Sequence, residues 1–235
     1  MNTPKISFVS RLIGLLSPPR CIVCGERLTI GENVLCTRCN LHLPRTNFAS
    51  SPYDNDMTRM FWGRVHVEKC AALFFYSPHS DASRLVMQIK YFHHPETGRQ
   101  LGCLAASELI PLNFFDGITA IMPLPLAHNR ERHRGFNQSR SIAEGISDMT
   151  GLPVIDGAIH RARFTESQTH KSRTERNENV ENAFSLADAA RLEHHHLLLV
   201  DDVVTTGATA TACIRAIEQA NDVKVSIFSL GFTRS

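Results

Sequence analysis

The chain has 235 residues, 43% of them hydrophobic and 20% charged, with a formal net charge of +2 at pH 7. That is enough to bury one substantial α/β core and to carry a small appended module. The near-balance of charge argues against a generic polyanion binder, although basic residues gather locally in two loops.

Met1 to Pro19 carries a short apolar patch, Phe8, Val9, Leu12, Ile13, Leu15 and Leu16, broken by Arg11 and Gly14. The interruption and the lack of a small-residue cleavage site argue against a signal peptide, and the spacing predicts a short amphipathic helix packed on the protein itself. No stretch is long and apolar enough to span a bilayer, so a cytoplasmic chain without membrane insertion is expected.

Cys21-x-x-Cys24 and Cys36-x-x-Cys39 follow, with eleven residues between the knuckles and turn residues at Gly25 and Gly31-Glu32-Asn33. Two such knuckles supply four thiolates for a tetrahedral site, and the metal expected is zinc. A disulfide pair is disfavoured in a reducing compartment, and a redox motif is disfavoured because the motif is duplicated. Four thiolates close the coordination shell, so the ion is structural, and a segment this small depends on it to fold. His42 reads as a surface residue; Cys70, Cys103 and Cys213 read as small core residues.

The organisation expected is an N-terminal helix and zinc ribbon over 1–46, a polar, turn-rich linker over 47–63 and an α/β domain over 64–235. Val65 to Tyr76 holds two β-prone stretches, and Ser80 to Tyr91 has helical spacing through Leu85, Val86 and Ile89, ending at Lys90. Thr97 to Ile110 reads as a helix and Ile118 to Met122 as a buried strand. Arg130, Arg132, His133 and Arg134 then precede a helix that starts near Asn137. Cations at the carboxyl end of a strand suit a pyrophosphate, a nucleic acid or plain solvation.

Pro153 to His160 reads as a further strand. Arg161 to Asn182, with Arg163, Gln168, Lys171, Arg173 and Arg176, has few apolar residues and no period, and reads as a long loop, either functional or disordered. His194-His195-His196 cannot all point one way on an extended chain, so this run is expected to be a polar lead-in to a strand.

The stretch that organises the rest is Leu197 to Thr209. Leu197-Leu198-Leu199-Val200 suits a strand buried on both faces, Asp201 and Asp202 end it, and Thr205, Thr206, Gly207, Ala208 and Thr209 open a helix expected to run to Ala220. Amides lacking partners at a helix N-terminus, together with hydroxyls, can wrap a phosphate, while Gly207 allows close approach. Two adjacent carboxylates would repel each other without a ligand or cation, and they can accept hydrogen bonds from two ribose hydroxyls. The ligand implied is a ribose 5-phosphate. Neither Gly-x4-Gly-Lys-Ser/Thr nor Gly-x-Gly-x-x-Gly occurs. Val223 to Leu230 alternates as a last strand should.

The Val200 to Thr209 run resembles the phosphoribosyl pyrophosphate (PRPP) signature of type I phosphoribosyltransferases. Arg134-Gly135-Phe136-Asn137-Gln138 is similar to a motif of the competence protein F (ComF) family, as are the Lys90-Tyr91 pair, Pro123, Pro125 and the segment from Arg163 to Phe184. The order of modules also matches, a double-cysteine zinc ribbon ahead of a phosphoribosyltransferase domain, and the resemblance spans nearly the whole chain. His93-His94-Pro95 departs from the small polar turn expected after Lys90-Tyr91.

The resemblance implies an α/β fold with a mainly parallel twisted sheet of type I phosphoribosyltransferase type and a small N-terminal zinc ribbon. It implies PRPP with Mg2+ as ligand, Asp201 and Asp202 as catalytic residues on ribose and magnesium, and Thr205 to Thr209 on the 5-phosphate. Lys90, Arg130, Arg132 and Arg134 would take the pyrophosphate, and Arg163 to Arg176 would belong to a flexible loop that closes over the substrates. The activity implied is pentosyl transfer, and no motif selects the acceptor. The family's association with natural transformation keeps open a non-catalytic factor for uptake or binding of single-stranded DNA, acting with DNA-uptake proteins, and a PRPP-sensing regulator is a third reading. Against a dedicated strand binder stands the small aromatic set, one Trp and three Tyr.

Overall fold

A computed structural model describes residues 19–91, 95–127, 131–132, 134–161 and 183–234. The chain divides into two compact units between Leu43 and Pro44. The expected N-terminal helix, the long loop with Arg163, Gln168, Lys171, Arg173 and Arg176, and Arg130 with His133 lie outside the described residues.

Among the described residues the first unit contains one short helix, α1 (Thr37–His42), none of whose residues is buried. Glu32 organises the turn before it, accepting from the Thr29 amide at 2.8 Å, the Thr37 amide at 2.6 Å and the Thr37 hydroxyl at 2.8 Å. The amide donors at Thr29 and Thr37 hold the Glu32 carboxyl at about 2, well below the usual carboxylate range.

The second unit is built on β1 (Cys70–Phe75), β2 (Ala120–Pro123), β5 (His196–Val204) and β6 (Lys224–Phe232), hydrogen-bonded in the order β1-β6-β5-β2 with every pairing parallel. A separate antiparallel pair joins β3 (Ile159–Arg161) to β4 (Phe184–Leu186). The helices are α2 (Asp56–Phe61), α3 (Asp81–Tyr91), α4 (Pro95–Leu109), α5 (Gln138–Thr150) and α6 (Ala208–Ile217). No helix among the described residues is long and apolar enough to cross a membrane.

Both faces of the sheet are covered, which is why its strands read as continuous apolar runs. On one face Cys70, Ala72, Ala120, Met122, Leu197, Leu199, Val225 and Ile227 share a core with α2, α6 and the β3–β4 pair. The alternate residues Ala71, Ile121, Leu198, Val200 and Phe228 are equally buried and face the side on which α5 packs against β2 and β5. The α4–α5 crossing is close because both helices present glycine: a Cβ on Gly102 would sit 2.2 Å from the Ile142 carbonyl oxygen, and one on Gly145 1.9 Å from that of Arg99.

Residues 47–63 are not a linker. Asn55 caps α2, accepting from the Met57 and Thr58 amides at 3.0 Å each, and its amide group donates to the carbonyls of Ser51 and Cys70, also at 3.0 Å. Met57 and Phe61, four apart on the helix, fill the core under β1. A six-residue helix framed by polar turn residues has too little periodicity to be seen in the sequence.

Two strand expectations also change. Of the Val65–Tyr76 region only Cys70–Phe75 is a strand, and Pro153–His160 reaches the main sheet through a single bridge from Val154 to Ile121, its regular part being Ile159–Arg161 in the separate pair. The last strand, β6, lies inside the sheet rather than at its edge. The three histidines diverge as expected of a lead-in: His194 pairs with Asp222 at 3.0 Å, His195 with the Thr119 hydroxyl at 2.8 Å and His196 with the Ser226 hydroxyl at 2.8 Å.

Candidate functional sites: a thiolate cluster and a carboxylate–threonine loop

In the first unit the ligating atoms of Cys21, Cys24, Cys36 and Cys39 all lie within 4.8 Å of one another. Cys36 serves twice, capping α1 by accepting from the Cys39 amide at 3.4 Å and lying 3.7 Å from Cys24, sulfur to sulfur. A tetrahedral ion with Zn–S bonds of about 2.3 Å needs sulfur–sulfur edges of about 3.8 Å, so these residues fit zinc. At Cys21 burial works against the thiolate, but backbone donors from Cys24, Cys36 and Val23 outweigh it and bring the thiol down to about 7. His42 turns away from ligand duty, its Nδ1 meeting the Arg38 carbonyl at 2.7 Å. Cys70 and Cys213 are fully buried in the second unit, and burial pushes the Cys70 thiol up to about 12.

The second site forms where β5 ends. Asp201 and Asp202 are its sixth and seventh residues, half-buried, and are followed within three residues by the turn Thr205-Thr206-Gly207. Gly207 caps α6 with φ of 71°, and a Cβ there would come within 2.9 Å of the Met60 sulfur and 3.0 Å of the Phe61 ring. Both the left-handed backbone and the close packing therefore require glycine. The Thr206 hydroxyl accepts from the Ala208 amide at 3.4 Å, and Asp201 with the residues from Val203 to Ala210 encloses a small cavity of about 40 Å³ at the head of the helix. Amides, hydroxyls and the positive end of α6 converge on that cavity, the chemistry that holds a phosphate.

The carboxylates are partnered from other elements. Asp202 accepts an ion pair from Lys90 at 3.2 Å, their side chains 13% and 24% exposed. Asp201 accepts from the Ser139 hydroxyl at 3.3 Å and from the Asp202 amide at 2.8 Å. Burial, and next the charge of Asp202, raise the Asp201 carboxyl to about 7, against the smaller pull of the Asp202 amide, Lys90 and Ser139. Two carboxyl groups of which one resists ionisation fit a divalent cation, which would relieve both burial and repulsion.

β2 and β5 are neighbours, pairing Pro123 with Val200, so the loop after β2 leaves the sheet beside Asp201. That loop ends at Asn137, which caps α5 through the Ser139 amide and donates to the Leu124 carbonyl, both at 3.0 Å. Arg132 is exposed, and Arg134 donates at 2.9 Å to Gln138, the first residue of the helix. The arrangement thus brings Lys90, Asp201, Asp202, Thr205 to Thr209 and the Arg132–Arg134 segment to one end of one sheet.

Sequence reasoning missed Ser139 and Arg64, whose Nη1 donates to the Thr206 carbonyl at 3.1 Å. Ser139 was within reach of a sequence argument: it sits two residues past a capping asparagine, in the first turn of the helix that follows the basic loop. Arg64, 142 residues from its partner, was not.

No protein-family model matches the chain. Competence protein F of Haemophilus influenzae is 26% identical over 226 residues, covering 90% of this chain and 96% of that protein. DNA utilization protein YhgH of Escherichia coli K12 is 28% identical over 218 residues, 89% of this chain and 88% of its own. Competence protein ComFC of Bacillus subtilis is 33% identical over 111 residues, 47% and 43% respectively. Among solved structures, the glutamine PRPP amidotransferase of B. subtilis aligns with 20% identity and a TM-score of 0.42 over 60% of this chain, which spans 30% of that one. Adenine phosphoribosyltransferase of Leishmania tarentolae aligns with 12% identity and a TM-score of 0.38, over 76% of this chain and 88% of that one.

Proposed function

The chain belongs to the competence protein F family, and from that premise we propose that it binds PRPP with magnesium at the carboxyl end of its parallel sheet and is a phosphoribosyltransferase-like protein serving DNA utilisation. The observation that carries the reading is the succession of two adjacent carboxylates and an amide- and hydroxyl-lined cavity at the end of β5, with Lys90 reaching in from α3. A ribose 5-phosphate asks for that succession: an anion cradle, then acceptors for vicinal hydroxyls.

Thr205 to Thr209 would hold the 5-phosphate, and Asp201 and Asp202 the ribose hydroxyls together with the magnesium ion. Magnesium, when bound, screens the charge of the diphosphate. In the transfer reaction the acceptor's electron pair attacks the anomeric carbon, the bond from that carbon to the pyrophosphate oxygen breaks, and the acceptor's proton is lost to solvent. Lys90, Arg132 and Arg134, with Arg130 preceding them, would receive the charge that develops on the leaving pyrophosphate. None of these groups forms a covalent bond; the protein contributes position and charge. Lys90 has a second role in the ligand-free protein, neutralising Asp202 until the cation arrives.

A second reading, a binding factor for single-stranded DNA without turnover, is favoured by the names of the relatives, competence and DNA utilization. One experiment separates the two: protein, magnesium and PRPP with a panel of acceptors (purines, pyrimidines, ammonia and oligonucleotides), followed by pyrophosphate release. Release with one acceptor establishes the transferase; PRPP binding without release establishes the binder or sensor. Calorimetry finding no magnesium-dependent PRPP binding would end the reading.

A further inference from the structure

Thr205 and Thr206 line two cavities. One is the cradle at the head of α6; the other is an open groove of about 640 Å³, whose remaining lining is Asp56, Arg59, Met60, Arg64, Phe232 and Arg234. Its charged lining is three guanidinium groups against one carboxylate. Arg59 is held by Asp54 at 2.7 Å and Asp56 at 3.9 Å, while Arg64 and Arg234 enter no ion pair among the described residues.

Both of those arginines are exposed and held by neutral partners. Arg64 uses one of its five N–H donors on the Thr206 carbonyl, which ties it to the loop. Arg234 lies over the Phe75 ring at 3.9 Å, a stacking that leaves the in-plane edge of the guanidinium for an anion. Phe232 is buried, so the groove presents no aromatic platform to a base.

A ribose 5-phosphate ends at the phosphate in the cradle and needs no further cation beyond it. Two arginines placed on the far side of the same two threonines suit an anion that continues past that phosphate. We propose that the Arg64–Arg234 groove binds the adjoining backbone phosphate of a single-stranded nucleic acid whose neighbouring phosphate occupies the Thr205–Thr209 cradle. The inference rests on the reading of that loop as a phosphate site. It makes the contact independent of base sequence, because phosphates position a strand and base edges specify it.

The test titrates a fluorescent, 5′-phosphorylated oligodeoxythymidylate into the full-length protein at several salt concentrations, beside PRPP and thymidine 5′-monophosphate as single-phosphate probes. Arg234→Gln leaves the loop untouched and is expected to weaken the oligonucleotide about tenfold, the size of one charge-assisted hydrogen bond, and to lower the salt slope by about 0.7. PRPP and the mononucleotide should change less than about twofold, within the scatter of such contacts. Arg64→Gln combined with Arg234→Gln should deepen the oligonucleotide loss. An unchanged oligonucleotide affinity and slope in Arg234→Gln overturns the proposal, as does an equal loss for all three probes, which would assign the arginines to support of the loop. Wild-type protein that binds PRPP but no oligonucleotide at low salt also overturns it and leaves the PRPP reading standing. Oligonucleotide binding sensitive to Arg234, without PRPP binding, keeps the groove and removes the PRPP reading.

Discussion

The thiolate cluster and the carboxylate–threonine loop both gather acidic groups, yet they differ in what holds them in place. Around the cysteines, the buried apolar residues among those described are Cys21, Val34, Leu35, Cys36 and Leu43, and two of these five belong to the thiolate cluster itself. Asp201 and Asp202 instead lie inside a strand that runs on to Val204, two residues further than the sequence suggested, and the residues before them, Leu197 to Val200, are wholly enclosed between packed layers. Where the core is thin, the binding free energy of a structural metal is folding free energy; where the core is complete, the fold itself holds two adjacent carboxyl groups together and bears their repulsion as strain. Lys90 and Ser139 reduce that strain, while burial and the neighbouring charge of Asp202 still favour the protonated Asp201 carboxyl.

The largest effect that sharpens this contrast is expected at the cysteines. Chelation, or Cys36→Ser, should unfold residues 19–43 while the 44–235 unit keeps its cooperative transition, since structural zinc contributes apparent energies of about 10–16 kcal/mol in small metal-dependent folds. Metal analysis and protease protection are the measurements; well under one zinc per chain in protein purified without chelator, or full protection in Cys36→Ser, breaks the contrast. Asp202→Asn and Asp201→Asn should do the opposite, keeping the fold and lowering magnesium-dependent PRPP affinity roughly a hundredfold, the size of losing a charged acceptor. Unchanged affinity in both variants, by calorimetry, would sink the site assignment.

A pH titration in chelator tests the strain directly. The folded Asp201 carboxyl at about 7 lies above its unfolded value of 3.8. The native state therefore binds more protons between those values, and stability falls as pH rises through that window. Urea unfolding of wild-type protein should lose ~2 kcal/mol between pH 4.5 and 8, a figure set below the full shift because Asp202 shares the titration. Asp201→Asn should flatten that slope, and parallel curves for the two proteins would contradict the burial argument. Arg132→Gln with Arg134→Gln should weaken PRPP about tenfold, and PRPP should compete with any bound oligonucleotide there; oligonucleotide binding indifferent to PRPP, with PRPP affinity intact, would reassign that loop to nucleic acid. The smallest effect belongs to Gly207→Ala, which must place a Cβ 2.9 Å from Met60 and hold φ near 71°. It should cost ~1–2 kcal/mol, and a melting temperature equal to wild type would show that the turn is looser than its geometry.

Much of the second unit was readable residue by residue. Leu197 to Val200, the helix from Ala208, the helix from Asp81 to Tyr91 and the cap at Asn137 each announce themselves through local periodicity or capping chemistry. The segment over 47–63 failed the same reading because its helix is six residues long, and its anchors, Met57 and Phe61, are justified only by the sheet they pack under.

By itself the sequence displayed the candidate donors: four cysteines at paired spacing, and two aspartates followed by a threonine–glycine turn. Both are local patterns, set by coordination geometry and by the backbone at a helix N-terminus, so they survive being read without a fold. Only the tertiary structure decided that β6 runs between β1 and β5, that Lys90 from one helix meets Asp202 while Ser139 from another meets Asp201, and that Arg64 reaches the Thr206 carbonyl. Those contacts join residues 62 to 142 positions apart, and the sheet order and helix packing that create them arise from burial summed over the whole core, which no short stretch of chain encodes.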